Sequence, residues 1–274
     1  MNYRISVIMG VYNCAKTLQE ALDSLLAQTC QCFKVIMCDD GSSDNTVEVA
    51  QVYVNKYPGK FILLRNETNQ GLNITLNRCL ELVDTEFTAR MDGDDISLPQ
   101  RFALELEFLD SHPEYALVSG PMIHFDEHGE YFRGIGEYEP KTGMDYLTGH
   151  TFTHAPCMIR TDAFKAVGGY SVSKYLLRIE DQHLWLKLHL AGYRGYNIGE
   201  HIYMMRDDRN ATRRRGYVSR RNEMLHRMRI CRTFSMPWHK YVESVIVPLA
   251  KWIAPASLYE YLRKKSKNKC ADPG

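Results

Sequence analysis

Near its start the chain carries the stretch Ile5-Ser6-Val7-Ile8-Met9-Gly10-Val11-Tyr12-Asn13. Its first five residues are mostly apolar and β-branched, which is typical of a strand buried on both faces of a parallel sheet. The four residues that follow end the strand in a short loop. From Lys16 to Gln28 apolar residues then recur every three or four positions, which places them on one face of a helix. The stretch therefore predicts the first strand and helix of an α/β fold.

The alternation of strand and helix continues through the first third of the chain. Further elements are predicted as strands at 33–38, 61–64 and 87–91 and as helices at 47–57 and 73–83. Such an alternation favours a parallel sheet with helices on its faces. In these sheets ligands bind beyond the carboxyl ends of the strands. The polar loops 10–13, 39–44 and 92–95 fall at that edge and are expected to form a ligand site.

The last of these loops holds three carboxylates within four residues, Asp92, Asp94 and Asp95. They repel one another unless a cation lies among them. Crowded oxygen ligands suit Mg²⁺ or Mn²⁺, and Mg²⁺ completes its shell with water and substrate phosphate. A solvated acidic turn is the alternative, but the position beside two other polar loops favours a site. Gly-x-Gly-x-x-Gly and Gly-Lys-Ser/Thr motifs are absent after the first strand, so a nucleotide would be held by carboxylates and a metal.

The middle of the chain continues with both element types. We predict a helix from Pro99 to about Ser111, a strand at 116–119, a hairpin at 122–136, a strand at 151–159 and a helix that follows Glu180 and Asp181. Pro156 predicts that the 151–159 strand is an edge strand or a bend. A carboxylate pair at a helix start is favoured by the helix dipole, which is the structural alternative to a catalytic role for Glu180 and Asp181.

The last seventy residues differ in character. Arginines are dense from Arg206 to Arg232 with few carboxylates to pair them, so this run suits phosphates of any kind. The apolar stretch 241–262 lacks the roughly 20 uninterrupted apolar residues of a spanning helix. With the basic run 263–269 behind it, the stretch predicts an interfacial anchor on anionic lipid. A packed helical hairpin with a frayed basic end is the alternative.

Composition excludes little. A chain of 274 residues with formal net charge +1 has no overall basic signal for nucleic acid. Its eight cysteines are scattered without the spacing of a zinc site, as expected for reduced thiols in the cytoplasm. Because residues 1–4 lead directly into a strand, no secretory signal peptide is predicted.

Five motifs together carry a resemblance. They are Val7–Asn13, Asp39–Asp44, Asn69–Leu72, Ala89–Asp95 and Glu180-Asp181. In order and spacing they resemble the family 2 glycosyltransferases of GT-A fold, over about residues 5–199. The resemblance implies a mostly parallel, Rossmann-like sheet flanked by helices. It implies a catalytic domain at 1–203, with a nucleotide-sugar half at 1–98 and an acceptor half at 99–203, followed by a helical region at 204–274 that is a candidate membrane-surface anchor.

The same resemblance implies roles for individual residues. The first loop and Asp40 would hold the base, Asp92 the ribose and Asp94 the metal, Mn²⁺ or Mg²⁺, while Asp181 would be the general base with Glu180 as its rival. The expected nucleotide-sugar contacts are Gly10, Val11, Tyr12, Asn13, Asp39, Asp40, Gly71, Arg90, Asp92 and Gly93. Candidate contacts to the diphosphate or the acceptor are His154, Arg206 and Arg213, with a structural histidine as the favoured alternative for His154 and solvated surface charge for the two arginines. Asp95 is expected to cap the helix that follows it and to support the loop, with a contact behind the metal ligand as the alternative.

The activity expected from this resemblance is inverting transfer of one sugar, from UDP-hexose or UDP-N-acetylhexosamine, to a hydroxyl of a saccharide acceptor. The expected acceptor is linked to undecaprenyl diphosphate, as in O-antigen or capsule assembly, and the enzyme would lie peripherally at the inner face of the cytoplasmic membrane. A nucleotidyltransferase of related plan is one alternative. A phosphate- or lipid-binding module that uses the arginine-rich region is another, and no nucleic acid partner is expected.

Overall fold

The computed structural model describes residues 2–134, 136–206 and 216–253. The chain divides into two compact units. The sheet unit comprises residues 1–139, 152–172 and 187–207, and the helical unit comprises residues 140–151, 173–186 and 208–274. Two features singled out in the sequence, Arg213 and the basic run 263–269, lie outside the described residues.

The strands of the described residues all belong to the sheet unit. They are β1 Ile5–Val11, β2 Phe33–Asp39, β3 Phe61–Arg65, β4 Phe87–Arg90, β5 Ile96–Ser97, β6 Tyr115–Ser119, β7 Met122–Asp126, β8 Gly129–Arg133, β9 Met158–Arg160, β10 Arg194–Asn197 and β11 Tyr203–Arg206. Seven strands form one sheet in the order β10-β6-β9-β4-β1-β2-β3, and four form a second in the order β5-β11-β7-β8. In the larger sheet every pair is parallel except the two that involve β9, so the predicted mostly parallel sheet is confirmed.

The helices include those predicted in the first half of the chain and the one that begins at Glu180, together with short helices that were not predicted. They are α1 Leu18–Leu26, α2 Thr46–Lys56, α3 Leu72–Glu81, α4 Arg101–Ser111, α5 Gly143–Thr148, α6 Thr161–Ala166, α7 Glu180–Leu190, α8 Tyr217–Thr233 and α9 Trp238–Ile253. In α1 the repeating apolar residues Leu18, Leu22 and Leu25 are buried and join Val7 and Met9 in the core. The other side of β1 and β2 packs against α3. The first strand is therefore buried on both faces, as its composition predicts.

Of the two predictions for Pro156, the edge strand was wrong and the bend is confirmed, because Ala155 and Pro156 form a turn. The strand β9 begins at Met158, after Pro156, and lies inside the sheet between β4 and β6, antiparallel to both. Proline is excluded from an interior strand because it lacks an N–H donor, but Pro156 lies outside the ladder and imposes no such limit here. Since β9 runs against its neighbours, the residues that precede it lie at the same edge as the carboxyl ends of β4 and β6.

The helical unit contains α5, α8 and α9, and the boundary between the two units falls within α7. Within this unit α8 packs against both α5 and α9. Thr142 and Asp145 form a capping box at the start of α5, which satisfies backbone donors that a free helix end leaves exposed. Among the described residues, none of the helices has the length and apolar content needed to cross a membrane.

Candidate active site

Three loops meet at one edge of the sheet unit because β4, β1 and β2 are adjacent and parallel. The backbone N–H of Asn13 donates to Ser42 Oγ at 2.9 Å, and the Ser43 N–H donates to Asn13 Oδ1 at 2.9 Å. Thr17 Oγ1 donates to the carbonyl oxygen of Gly93 at 3.0 Å. The first loop is thus hydrogen-bonded to both acidic loops, and Asn13 adopts a left-handed conformation (φ 49°) that asparagine tolerates.

Asp40 is a buried carboxylate whose hydrogen bonds all come from the protein. Its Oδ1 accepts the backbone N–H of Gln70 at 2.8 Å and the side-chain amide of Asn66 at 2.7 Å. Its Oδ2 accepts the N–H of Gly71 at 2.9 Å. Burial opposes ionisation, but these donors outweigh it and lower the pKa of Asp40. Asp40 is therefore ionised and joins the loop after β2 to the start of α3.

Asp39, the neighbouring carboxylate, is also buried. Both of its oxygens lie within hydrogen-bond distance of the Ser42 N–H, at 3.2 and 3.3 Å. The guanidinium of Arg65 lies 3.5 Å from Oδ2. These contacts hold the 39–44 loop in a tight turn.

Asp92 begins the acidic loop after β4 and is paired with an arginine. Arg90, which is buried, directs both terminal nitrogens of its guanidinium at the Asp92 carboxylate, and the Nη1 to Oδ2 distance is 2.8 Å. Burial opposes the charge on Arg90, yet the pKa of Arg90 is raised because Asp92 faces it. The Asp92 N–H in turn donates to the hydroxyl oxygen of Tyr203 at 3.1 Å. One of the three acidic charges is thus balanced inside the protein.

Asp95 is buried and does not cap a helix, so that prediction was wrong. It is followed by the short strand β5, and α4 begins later, at Arg101. Its Oδ1 accepts the backbone N–H of Arg206 at 2.8 Å, which joins the loop to the end of β11. Burial, together with the charges of Asp92 and Asp94, raises the pKa of Asp95 to about 8. Asp95 is therefore a buried residue that ties the acidic loop to the end of β11.

Asp94 differs from both of its neighbours. Its side chain is exposed, and no side chain of the described residues donates a hydrogen bond to its carboxylate. The protein atoms around it reduce its hydration and the charge of Asp92 repels it, and together these effects raise the pKa of Asp94. A carboxylate in this setting gains from a cation, because a cation supplies the compensation that its neighbours receive from arginine and backbone N–H groups.

The site fits a divalent ion held mainly by the substrate. Within the described part of the chain no group of three or more His, Cys, Asp or Glu side chains could hold a metal. One free carboxylate, Asp94, with another at Asp92, matches the sparse protein ligation that Mg²⁺ accepts beside substrate phosphates. The oxygen chemistry of the loop therefore suits Mg²⁺ or Mn²⁺, with water and diphosphate completing the shell.

Glycines provide the space at this edge. A Cβ at Gly93 would lie 2.8 Å from Cys14 Sγ and 3.2 Å from Val11 Cγ1, and one at Gly10 would lie 2.9 Å from Leu72 Cδ1. Gly71 has φ +89°, a conformation that side-chain-bearing residues rarely adopt, and its N–H serves Asp40. Gly93 thus lets the acidic loop approach the first loop closely, and Gly10 lets α3 pack against β1.

Two residues of the first loop have opposite environments. Val11 is buried in the core, so its side chain serves packing while its backbone carbonyl accepts the Asp40 N–H at 2.9 Å. Tyr12 leaves half of its side chain exposed beside the loop. An exposed aromatic ring at such an edge offers a surface for stacking.

His154 lies at the same edge because it precedes the antiparallel strand β9. Its Nε2 is 2.6 Å from the hydroxyl of Tyr170. Burial, followed by the positive charge of Arg90, moves the pKa of His154 well below its usual value, so the ring is neutral. This geometry matches a structural histidine that orders Tyr170.

Arg206 ends β11 and is already engaged within the protein. Its Nε donates to the Asp94 carbonyl oxygen at 3.0 Å, its Nη2 pairs with Glu20, and its guanidinium lies 4.5 Å from the centre of the Phe125 ring. It therefore supports the acidic loop and adds positive charge near Asp94. Arg213, the other arginine predicted to reach the diphosphate, lies outside the described residues.

In the helical unit Glu180 and Asp181 form the first turn of α7, as the sequence predicts. The segment before this turn is fixed by Asn222, a fully buried residue of α8. Asn222 Nδ2 donates to the carbonyl oxygens of Lys174 at 3.0 Å and Leu177 at 3.3 Å. The chain then passes through Arg178 in a left-handed conformation (φ 69°) and enters the helix. Both carboxylates are thus presented from a supported helix end.

Two arginines of α8, Arg220 and Arg227, are held by contacts within the helical unit. Arg220 pairs with Glu223 at 2.9 Å, and Arg227 donates to the Leu147 carbonyl oxygen at 2.6 Å and lies 3.8 Å from Glu243. The expectation that few carboxylates would pair this run was therefore wrong for these two residues. Glu243 lies beyond the run in sequence and comes close because α9 packs on α8.

Sequence reasoning missed Tyr203, Asn66 and Asn222. Each acts through hydrogen bonds to residues distant in the chain, such as Tyr203 with Asp92 and Asn222 with Lys174. A buried asparagine or tyrosine has no sequence pattern that marks it. The clearest available signal was Asn66, since polar residues that directly follow a buried strand tend to lie at the ligand edge.

Comparison with known proteins identifies the class. Residues 6–168 match the sequence profile of Glycosyl transferase family 2. The chain belongs to this family and is a glycosyltransferase.

Individual relatives agree with this assignment. The chain is 35% identical over 262 residues to the protein named "Putative glycosyltransferase EpsE" of Bacillus subtilis (strain 168), and the match covers 96% of this chain and 94% of that protein. It is 26% identical over 272 residues to the UDP-Gal:alpha-D-GlcNAc-diphosphoundecaprenol beta-1,3-galactosyltransferase of Escherichia coli, covering 96% of each.

The fold also has solved counterparts. The structure of S. aureus TarS 1-349 in complex with UDP-GlcNAc superposes with a TM-score of 0.69, at 22% identity, over 90% of this chain and 72% of that chain. The chain has the GT-A fold that its motifs predicted.

Proposed function

We propose that the chain is an inverting, metal-dependent transferase that moves one sugar from UDP-hexose or UDP-N-acetylhexosamine to a hydroxyl of a saccharide acceptor. The observation that carries the proposal is Asp94, an exposed carboxylate of raised pKa without a side-chain donor among the described residues, at the edge where three loops converge. A diphosphate with its cation supplies the positive charge that this carboxylate lacks.

The loops of the sheet unit have separate roles in holding the donor. The loop 10–13 and the loop that Asp40 fixes bind the base, with the exposed ring of Tyr12 available for stacking. Asp92, held in one orientation by Arg90, accepts hydrogen bonds from the ribose hydroxyls. Asp94 binds Mn²⁺ or Mg²⁺, which when bound neutralises the charge that develops on the departing diphosphate. Arg206 keeps the Asp94 backbone in place from below.

Asp181 takes the proton from the acceptor. A sugar hydroxyl has a pKa far above 7, so a carboxylate must remove its proton as the glycosidic bond forms. The start of α7 is suited to an ionised carboxylate because the helix dipole stabilises negative charge there. Glu180 is the rival base, since both residues lie in the same first turn. Asn222 acts as a positioning residue by fixing the segment that leads to this turn.

The acceptor we propose is a saccharide linked to undecaprenyl diphosphate, in the synthesis of O-antigen or capsule, and the enzyme works peripherally at the inner face of the cytoplasmic membrane. The support is the Escherichia coli relative whose name gives such an acceptor and a UDP-sugar donor, and which this chain matches over 96% of its length.

The test is a transfer assay with a panel of UDP-sugars and a synthetic GlcNAc-diphospho-lipid, with Mn²⁺, with Mg²⁺ and with chelator. We expect one donor to give product only with metal, and NMR of that product to show an inverted anomeric configuration. Retained configuration, or full activity in chelator, would contradict the proposal.

The base is tested with a matched pair of variants. Asp181→Asn should retain binding of UDP and metal while losing transfer by at least about 100-fold, the range of general-base catalysis. Glu180→Gln is the control and should keep most of the activity. The reverse result would assign the base to Glu180.

A further inference from the structure

The outer surface of α9 carries a continuous row of large apolar side chains. Its members are Trp238, Val242, Ile246, Leu249 and Trp252. Their steps of four, four, three and three residues keep them on one face of a helix with 3.6 residues per turn. All five are between 40 and 77% exposed. The row spans about 21 Å along the helix axis, and we call it the α9 stripe.

The face of α9 that packs on α8 is mixed in polarity and includes the buried Pro248. Ser244 is buried, and its hydroxyl lies 3.4 Å from Cys231 Sγ of α8. Lys251 Nζ lies 2.7 Å from Glu223 Oε1 of α8. Burial of Glu223 opposes its ionisation, but this ion pair outweighs the burial and the pKa of Glu223 is lowered. A surface helix of a water-soluble domain normally buries its apolar face. In α9 a row of large apolar side chains instead faces outward.

Such a row differs from ordinary surface hydrophobicity. Single exposed apolar residues are common on proteins, whereas contiguous apolar patches mark a surface that binds something. The ring of Tyr217 on α8 lies 5.6 Å from the ring of Trp252, which widens the apolar surface at one end of the stripe. Among the described residues of the helical unit, the stripe remains open to solvent.

Two observations favour a lipid surface as the occupant. Tryptophan lies at both ends of the stripe, and indole rings prefer the interface between headgroups and acyl chains. The sequence that follows α9 contains Arg263-Lys264-Lys265-Ser266-Lys267-Asn268-Lys269, a run without acidic residues that complements anionic headgroups. A helix of 16 residues with this length and polarity suits a position in the plane of the interface.

We infer that the α9 stripe inserts into the headgroup region of an anionic bilayer and docks the enzyme on the membrane through its helical unit. The inference rests on the proposed membrane location for its biological sense, but the docking itself requires no transferase activity. It assigns to Trp238, Ile246 and Trp252 the contact with lipid.

Vesicle co-sedimentation of the full chain tests this inference. We expect the protein to bind phosphatidylcholine vesicles that contain phosphatidylglycerol, and to bind pure phosphatidylcholine more weakly. The double variant Ile246→Ser/Leu249→Ser should lower the vesicle affinity at least about tenfold, because two aliphatic side chains that would enter the bilayer are replaced by polar ones. The matched control Val52→Ser/Leu190→Ser, which changes exposed aliphatic residues elsewhere, should bind as the parent does.

A second measurement guards against misfolding and self-association. Trp238→Lys should also reduce binding, while circular dichroism and binding of UDP with Mn²⁺ should match the parent protein. Unchanged vesicle affinity in these variants would overturn the inference. So would a dimer in sedimentation velocity that Ile246→Ser/Leu249→Ser dissociates, because the stripe would then bind a second copy. Loss of transfer with any UDP-sugar would defeat the proposed reaction and leave the vesicle result standing.

Discussion

The two acidic loops of the sheet unit occupy equivalent positions in the sheet. They differ in how far protein groups compensate the charge of their carboxylates. One follows β2 and the other follows β4, on either side of β1. In the first, Asp40 receives three hydrogen bonds from protein donors and its pKa is lowered. In the second, the pKa values of Asp94 and Asp95 are raised, and Asp94 receives no side-chain donor among the described residues.

This difference separates a structural charge from a functional one. A carboxylate with protein donors stabilises the fold, and its removal leaves those donors without a partner. A carboxylate that the protein leaves uncompensated weakens the fold slightly until a cation arrives. The loop after β2 is therefore held by contacts within the protein, whereas under the proposed function the loop after β4 would be completed by the donor and its metal.

The largest effect is expected from Asp94→Asn. Removing the metal-binding carboxylate should reduce transfer by about 10³-fold, since the charge on the leaving diphosphate is no longer neutralised. The free energy of unfolding without ligands should stay the same or rise, because the repulsion from Asp92 is relieved. Transfer kinetics and urea unfolding measure the two quantities, and Glu48→Gln, an exposed acidic change on α2, is the control. Undiminished turnover would refute the metal role.

Asp40→Ala should produce the opposite pattern, chiefly in stability. The N–H groups of Gln70 and Gly71 and the amide of Asn66 lose their acceptor in a buried setting. We expect a loss of about 2–4 kcal/mol in the free energy of unfolding, from several bonds to a charged group. Urea denaturation measures this loss. If Asp40→Ala keeps normal stability but loses UDP binding, Asp40 serves the ligand and not the fold. The difference proposed between the loops after β2 and β4 would then be wrong.

Substitution of Gly93, which lies close to the first loop, should have an intermediate effect on stability. Gly93→Ala places a methyl group 2.8 Å from Cys14 Sγ, and we expect a cost of about 1–3 kcal/mol in stability. Because Cys14→Ala removes that sulfur, the double variant should recover part of the loss in thermal unfolding. Additive effects of the two changes would show that the loops do not press on each other.

The smallest effect is a dependence on pH. The pKa of Asp40 in the folded protein is below an unfolded value of about 3.9, so its stabilisation is complete above about pH 4 and is lost as pH falls through the folded value. The difference in unfolding free energy between the parent protein and Asp40→Asn should thus be constant at neutral pH and narrow on acidification. A difference that persists in acid would contradict the lowered pKa of Asp40.

Much of the sheet unit followed from sequence, because strand and helix periods are local properties. The four strands before residue 91 and the helices between them were predicted within a few residues. The acidic loops could be placed at one edge because parallel strands share a direction. The interior position of β9 and the hydrogen bond from Arg206 to Asp95 could not, since both depend on residues far apart in the chain.

The orientation of α9 was also beyond sequence reasoning. The apolar content of 241–262 predicted either an anchor or a packed helix, and periodicity does not reveal which face turns inward. The ion pair of Lys251 with Glu223 fixes that choice, and its partner lies 28 residues away. The roles of individual site residues remain predictions, to be tested by the variants described above.

The contact between Gly93 and Cys14 also bears on how this site can change through evolution. With 2.8 Å between the sulfur and the place of a Cβ, a larger residue at position 93 requires the Cys14 side chain to move. A relative that carries alanine or glycine at the position of Cys14 has room for a side chain at the position of Gly93. The two positions should therefore vary together among homologous sequences, although they lie on different loops.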